Sequence, residues 1–281
     1  MTTVGGMCEQ HGPTSLTRRA ALALGAAGAA ALIAGCGRRS EGSFVPAADP
    51  VTLLPDLAVW PRAAWGGDLL PRGPLEREDV RFLLVHHSAT TNAYTAASVP
   101  ATLRNVYAFH TGPAKGWPDV CYNFFVDRFG GVWEGRTESM TEPVVASATG
   151  GSQGFAQLVC LLGDFTAELP TPAAMRSLTL LLAWLGGYSA LDTNPGATTT
   201  FVSRGSQRWA AGQVVTTTTI AGHRDMSFTG CPGDRLYPVV RNQLPAAVTQ
   251  ERQRLAAAAA TGGEPYDRAV RVTPPVRVPP P

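Results

Sequence analysis

The chain has 281 residues, 16% of them charged, with 23 basic and 21 acidic side chains and a formal net charge of +2. That length suffices for one sizeable domain with attachments. Without a basic surplus the chain is not expected to bind nucleic acid.

The first segment is expected to lie outside the fold. Arg18 and Arg19 precede a small, apolar run from Ala20 to Ala34. At about 15 residues it is short for a bilayer span and right for the core of a signal peptide. The paired arginines resemble a twin-arginine (Tat) export signal, and "LIAGC" resembles a bacterial lipobox, which implies lipidation of Cys36. Residues 1–35 are therefore expected to be a Tat-like lipoprotein signal peptide. The mature chain would be exported and held at the membrane, on the outer face of the cytoplasmic membrane, by the lipid on Cys36. Residues 36–57, polar and Pro-bearing, read as a flexible tether.

The folded domain is expected over 58–250. "VRFLLVHHS" (80–88) reads as a buried strand. "AASVPATLRNVYAFHT" has helical spacing, with Leu103, Val106, Tyr107 and His110 on one stripe. "VCYNFFVD" and "GVWEGR" read as a hairpin around an Asp-Arg-Phe-Gly-Gly turn. "AQLVCLLGDF" is another buried strand. "TPAAMRSLTLLLAWLGGY" is the clearest helix, with Thr171 to cap it, Pro172 at its first position and Gly186-Gly187 to close it. The Gly/Thr-rich "PGATTTFVSRGSQRWAAGQVVTTTT" reads as loop. A docking helix follows, and 251–281 reads as an Ala-rich, then Pro-rich disordered tail. Strands and helices alternate with hairpins between them, so the fold class is α/β, a mixed central β-sheet flanked by helices.

A few residues stand out chemically. His86 and His87 end a buried strand, and since strand neighbours point to opposite faces at most one of them can face a given site. His223 and Cys231 flank the Gly/Pro turn of "AGHRDMSFTGCPG". Each alone is more often a packing residue than a ligand. Together, two imidazoles and a thiolate are a ligand set that zinc uses in catalytic sites, leaving a fourth position open.

"VHHSAT", "GWPDVCYNFFVDRFGGVWEGR", "LLGDF" and "GHRDMSFTGCPGDRLY" together resemble the peptidoglycan recognition protein family, which includes zinc-dependent N-acetylmuramoyl-L-alanine amidases. The resemblance covers roughly 58–245, and the Thr-rich stretch looks like the bacterial branch. It implies Zn2+ on His86, His223 and Cys231, with Tyr122 and Thr229 as catalytic residues. The position of Thr229 is Lys in the phage enzyme and Thr in many relatives. It implies peptidoglycan muropeptides as partners, and Trp65, His110 and Trp117 in a substrate groove, though each could equally be core. The activity implied is zinc-dependent hydrolysis of the amide between N-acetylmuramic acid and L-alanine. The alternative is a non-catalytic binding module of the same fold, but non-catalytic relatives lose the zinc cysteine and Cys231 is present.

Several roles stay open. Glu134 could be structural or catalytic, His87 could be core or support a ligand, and Asp225 could orient an imidazole or make a turn contact. Cys121 replaces a common Gly and could pair with Cys160. The stretch "TESMTEPVVASATGGSQGFAQL" lacks the usual Gly-Ala-His and Asn signals.

Overall fold

The computed structural model describes residues 48–151 and 153–261. The expected signal peptide, with Cys36, lies outside the described residues, as do most of the tether and the Pro-rich end.

A seven-stranded sheet runs in the order β1-β2-β5-β4-β6-β3-β9. Its strands are β1 (Val51–Leu54), β2 (Leu57–Trp60), β3 (Phe82–His87), β4 (Phe124–Val126), β5 (Val132–Glu134), β6 (Ala156–Leu161) and β9 (Ile220–Gly222). The β4, β6, β3 and β9 neighbours are parallel, while β1/β2 and β4/β5 are antiparallel. All residues of β3 and β6 are buried, which is why both read as continuous apolar runs. Helices cover both faces, as expected of a mixed α/β sheet. On one face α3 (Pro172–Tyr188), α4 (Leu236–Asn242) and α5 (Leu244–Ala260) enclose Leu83, Val85, Phe124 and Leu161. On the other, α1 (Ala63–Gly66) and α2 (Val99–Thr111) enclose Phe82, Leu84, Phe125 and Leu158.

The α3 cap is the one its sequence predicts: Ala174 N–H donates to Thr171 Oγ1 at 3.1 Å. The close differs, because the helix runs on to Tyr188. Gly186 serves contact instead, since a Cβ there would lie 2.8 Å from Thr193 Cγ2.

Three expected boundaries need correction. Strand β1 lies inside the stretch expected to be a tether, because Leu53, Leu54 and Leu57 are buried in the core. The "tail" from 251 begins as helix: α5 runs to Ala260, and its buried Glu251 pairs with Arg176 at 2.9 Å. The Gly/Thr-rich stretch is not loop throughout but a two-stranded antiparallel hairpin, β7 (Thr198–Val202) and β8 (Val214–Thr218). Threonine suits a strand, and only Phe201, Val215 and Thr217 of these two strands are buried, so the apolar alternation was faint.

Candidate metal centre

Sheet register builds the centre. β3 and β9 are parallel neighbours with Val85 opposite Gly222, so the next residue of each chain segment, His86 and His223, stands at the same level. Their rings lie 4.3 Å apart. Alternation along β3 sends His86 to the face of Phe82 and Leu84, and His87 to the other.

Cys231 arrives on the loop after β9. Arg224 ties that loop down: its backbone N–H and side-chain Nε both donate to Cys231 O, at 3.1 and 3.4 Å, and its guanidinium pairs with Asp234 at 2.9 Å. The Cys231–Pro232 peptide is cis. Gly233 has φ +100°, and a Cβ on it would strike the Phe165 backbone at 2.4 Å, so glycine is required there. The Cys231 sulfur ends 3.6 Å from His86 Nδ1 and accepts from the His87 N–H at 3.4 Å.

The ligand atoms of His86, His223 and Cys231 all lie within 4.8 Å of one another, and all three residues are buried. Burial holds both imidazoles in the neutral form that can ligate. His223 is pulled down to about 3 by burial and then by His87, and His86 is held well below the usual imidazole range by burial, then by His223 and His87. His86 Nε2 and His223 Nδ1 are buried without a hydrogen-bond partner among the described residues. Orphaned buried nitrogens are costly. A cation held by these three side chains could engage imidazole nitrogens that have no partner among the described residues. The donor set and its softness fit zinc.

Tyr122 is buried, with its ring 5.0 Å from His86. Its neighbour Asn123, which the sequence reading did not single out, fixes the segment. Asn123 Oδ1 accepts from Leu158 N–H at 2.8 Å, and Nδ2 donates to Val144 O at 3.0 Å. Thr229 sits two residues before Cys231, and its hydroxyl oxygen accepts from Cys231 N–H at 3.2 Å.

The three expected groove residues separate. Trp65 is 3% exposed, donates from Nε1 to Glu134 O at 2.7 Å, and carries the Arg62 guanidinium 4.2 Å over its ring. It is a core pillar and offers no face to a sugar, which corrects that expectation. His110 is also buried, but in an aromatic row that leads from the metal cluster. Its ring lies 5.8 Å from Tyr122 and 5.1 Å from half-buried Trp117. Cys121 N–H donates to His110 Nδ1 at 3.2 Å.

The open roles resolve. Glu134 is structural: its carboxylate accepts from the backbone of Arg62 at 2.8 Å and Met140 at 3.2 Å. Asp225 makes turn contacts, taking Gly222 N–H at 2.9 Å and the Tyr237 hydroxyl at 2.6 Å. His87 accepts from Phe165 N–H at 3.3 Å on the opposite side of β3. Cys121 and Cys160 are both buried and, among the described residues, form no disulfide. Arg62, paired with Asp119 at 2.9 Å inside the protein, was not read from the sequence. An arginine beside "WPR" carries no local signal of burial.

The family model of N-acetylmuramoyl-L-alanine amidase matches residues 76–234, which include His86, His223 and Cys231. The human protein named N-acetylmuramoyl-L-alanine amidase is 30% identical over 190 residues, covering 66% of this chain and 28% of that protein. Peptidoglycan recognition protein 1 of Bos taurus is 28% identical over 181 residues, 64% of this chain and 80% of that one. The chain thus spans under a third of the first of these relatives. Among solved structures, bumblebee PGRP-SA superposes with a TM-score of 0.51 at 17% identity, covering 66% of this chain and 95% of that one. Human PGRP-IBETAC in complex with glycosamyl muramyl pentapeptide gives 0.50 at 22%, with the same coverage. At such identities the likeness is one of fold. With more than half of its length matched by the family model, the chain belongs to the N-acetylmuramoyl-L-alanine amidase family.

Proposed function

We propose that the protein is a zinc-dependent N-acetylmuramoyl-L-alanine amidase of the bacterial branch, cutting peptidoglycan between N-acetylmuramic acid and L-alanine. The observation that carries this reading is the buried His86/His223/Cys231 cluster with the Tyr122 ring beside it. Non-catalytic recognition remains the second reading, and the intact cysteine ligand favours the enzyme over it.

Bound between these three side chains, zinc would polarise the amide carbonyl and lower the pKa of a water to roughly 7. The protein's own groups do the rest. His86 and His223 present neutral nitrogens at no cost of deprotonation near neutral pH. Tyr122 and Thr229 bring hydroxyl donors for the oxygen that gains charge as the carbonyl carbon becomes tetrahedral. The Thr229 oxygen already accepts from the Cys231 amide, which fixes its place relative to a ligand. Half-buried Trp117, packed on buried His110 beyond Tyr122, offers an aromatic face for substrate.

The test is incubation of the zinc-loaded protein with purified muropeptides and detection of released stem peptide by mass. A protein that binds wall and zinc yet releases no peptide would be a recognition module. The expected site of action is the outer face of the cytoplasmic membrane. Cys36→Ala should move the protein from the membrane fraction to the soluble fraction, and unchanged membrane retention would discount lipidation as the anchor.

A further inference from the structure

The β7–β8 hairpin carries a polar surface that neither the metal cluster nor the aromatic row uses. Its register pairs Thr198 with Thr218, Thr200 with Thr216 and Val202 with Val214. Strand side chains alternate, so these six share one face. The other face is the packed one: Phe201 and Val215 are buried, and Phe201 stacks on Phe82 at 5.5 Å. The Thr/Val face therefore looks outward, and Thr198, Thr200 and Thr216 are exposed. Thr200 and Thr216 share a hydroxyl hydrogen bond of 3.0 Å across the strands.

At its Thr198/Thr218 end this face runs into a cleft of about 260 Å³, walled by Arg208, Trp209 and Arg241. Trp209 is anchored there by Nε1 donating to Asp225 O at 3.1 Å. Arg241 donates to Thr218 Oγ1 at 2.7 Å and lies 3.6 Å from the Asp225 carboxylate. Arg208 donates to the Arg224 carbonyl at 2.6 Å and, among the described residues, has no acidic partner. Two guanidiniums against one carboxylate leave the cleft positive. An indole face suits the C–H face of a sugar ring, threonine hydroxyls can both donate and accept to sugar hydroxyls, and a guanidinium fork matches a carboxylate.

We infer that this cleft and the threonine face beside it form an accessory site for a carboxylate-bearing saccharide, distinct from the metal cluster. The choice of the glycan strand as its source rests on the amidase reading. Muramic acid stripped of its stem peptide exposes a lactyl carboxylate, which an intact muropeptide does not. The site would then hold the protein on strands that have already been processed.

The full chain is to be titrated against three probes: glycan strands freed of stem peptide, the same strands with their lactyl carboxylates reduced to alcohols, and a uronic acid polymer. The variants are Arg208→Ala and, as a gentler pair, Thr198→Val with Thr216→Val, each checked for parental thermal unfolding. The stripped strands should bind the parent, and carboxylate reduction or Arg208→Ala should weaken binding about tenfold or more. The valine pair should weaken it measurably. Peptide release from a monomeric muropeptide should stay at the parental rate in both variants. Equal binding by the parent and both variants, or by native and reduced strands, would overturn the site. Binding of the uronic acid polymer alone would overturn the glycan strand as its source. Lack of peptide release by the parent would count against the amidase reading and leave the binding result standing.

Discussion

Tyr122 and His110 test the centre from outside the ligand set. Tyr122→Phe removes one hydroxyl from a ring that stays packed between His86 and Phe125. Loss of an oxyanion donor costs about 10²–10³-fold in rate, so turnover should fall by that much with zinc content unchanged. Turnover within a factor of two of the parent would remove Tyr122 from the chemistry. His110 makes a stability prediction. Burial, helped by Lys115 and Arg136, lowers it from 6.5 to about 3. The folded state keeps it neutral while the unfolded chain takes up a proton below 6.5. Its stabilising contribution is therefore present above pH 6.5 and is lost as pH falls toward 3. Between pH 7 and 4.5 that loss is roughly 2–3 kcal/mol. His110→Gln should lose that much less over the same interval in denaturant unfolding, and parallel losses would discount His110. Glu78 and Glu134, raised by burial, act in the opposite sense but equally in both proteins.

Among the elements, α3 carries the core on the face away from the metal cluster. Leu178 is fully buried there, and Leu178→Ala should cost about 2–5 kcal/mol of stability. Its effect on zinc content should be nil. A loss below 1 kcal/mol would show that this face collapses to fill the cavity. Helix α3 was legible because cap, first-turn proline and apolar stripe agree in one short stretch. Strands β3 and β6 were legible as runs of buried apolar residues. The β7–β8 hairpin was not, since threonines on both faces hide the period of two. Strand β1 was not, because two prolines beside it read as tether while its leucines pack against distant α3 residues. The grouping of His86, His223 and Cys231 was legible from residue type and motif resemblance. The support of Asn123, Arg62 and Asp225 was not, because each depends on partners brought close only by folding.

At the scale of the whole molecule the sheet is the device that assembles the centre. The β3 and β9 ends supply one imidazole each, and a loop pinned by Arg224 supplies the cysteine sulfur. A cation bound only by the folded state adds stability by mass action, about 4 kcal/mol at a thousandfold excess over its Kd. Chelation should therefore lower the melting temperature of the parent as well as its activity. Cys231→Ser tests the central claim most directly, because a serine hydroxyl does not ionise near neutral pH as a zinc-bound thiol does. The measurement is bound zinc after dialysis together with stem-peptide release from muropeptides, on parent and variant side by side. The parent should hold one zinc and release peptide. The variant should lose both while still sedimenting with insoluble cell wall. Full hydrolysis by a zinc-free Cys231→Ser protein would contradict the metal centre.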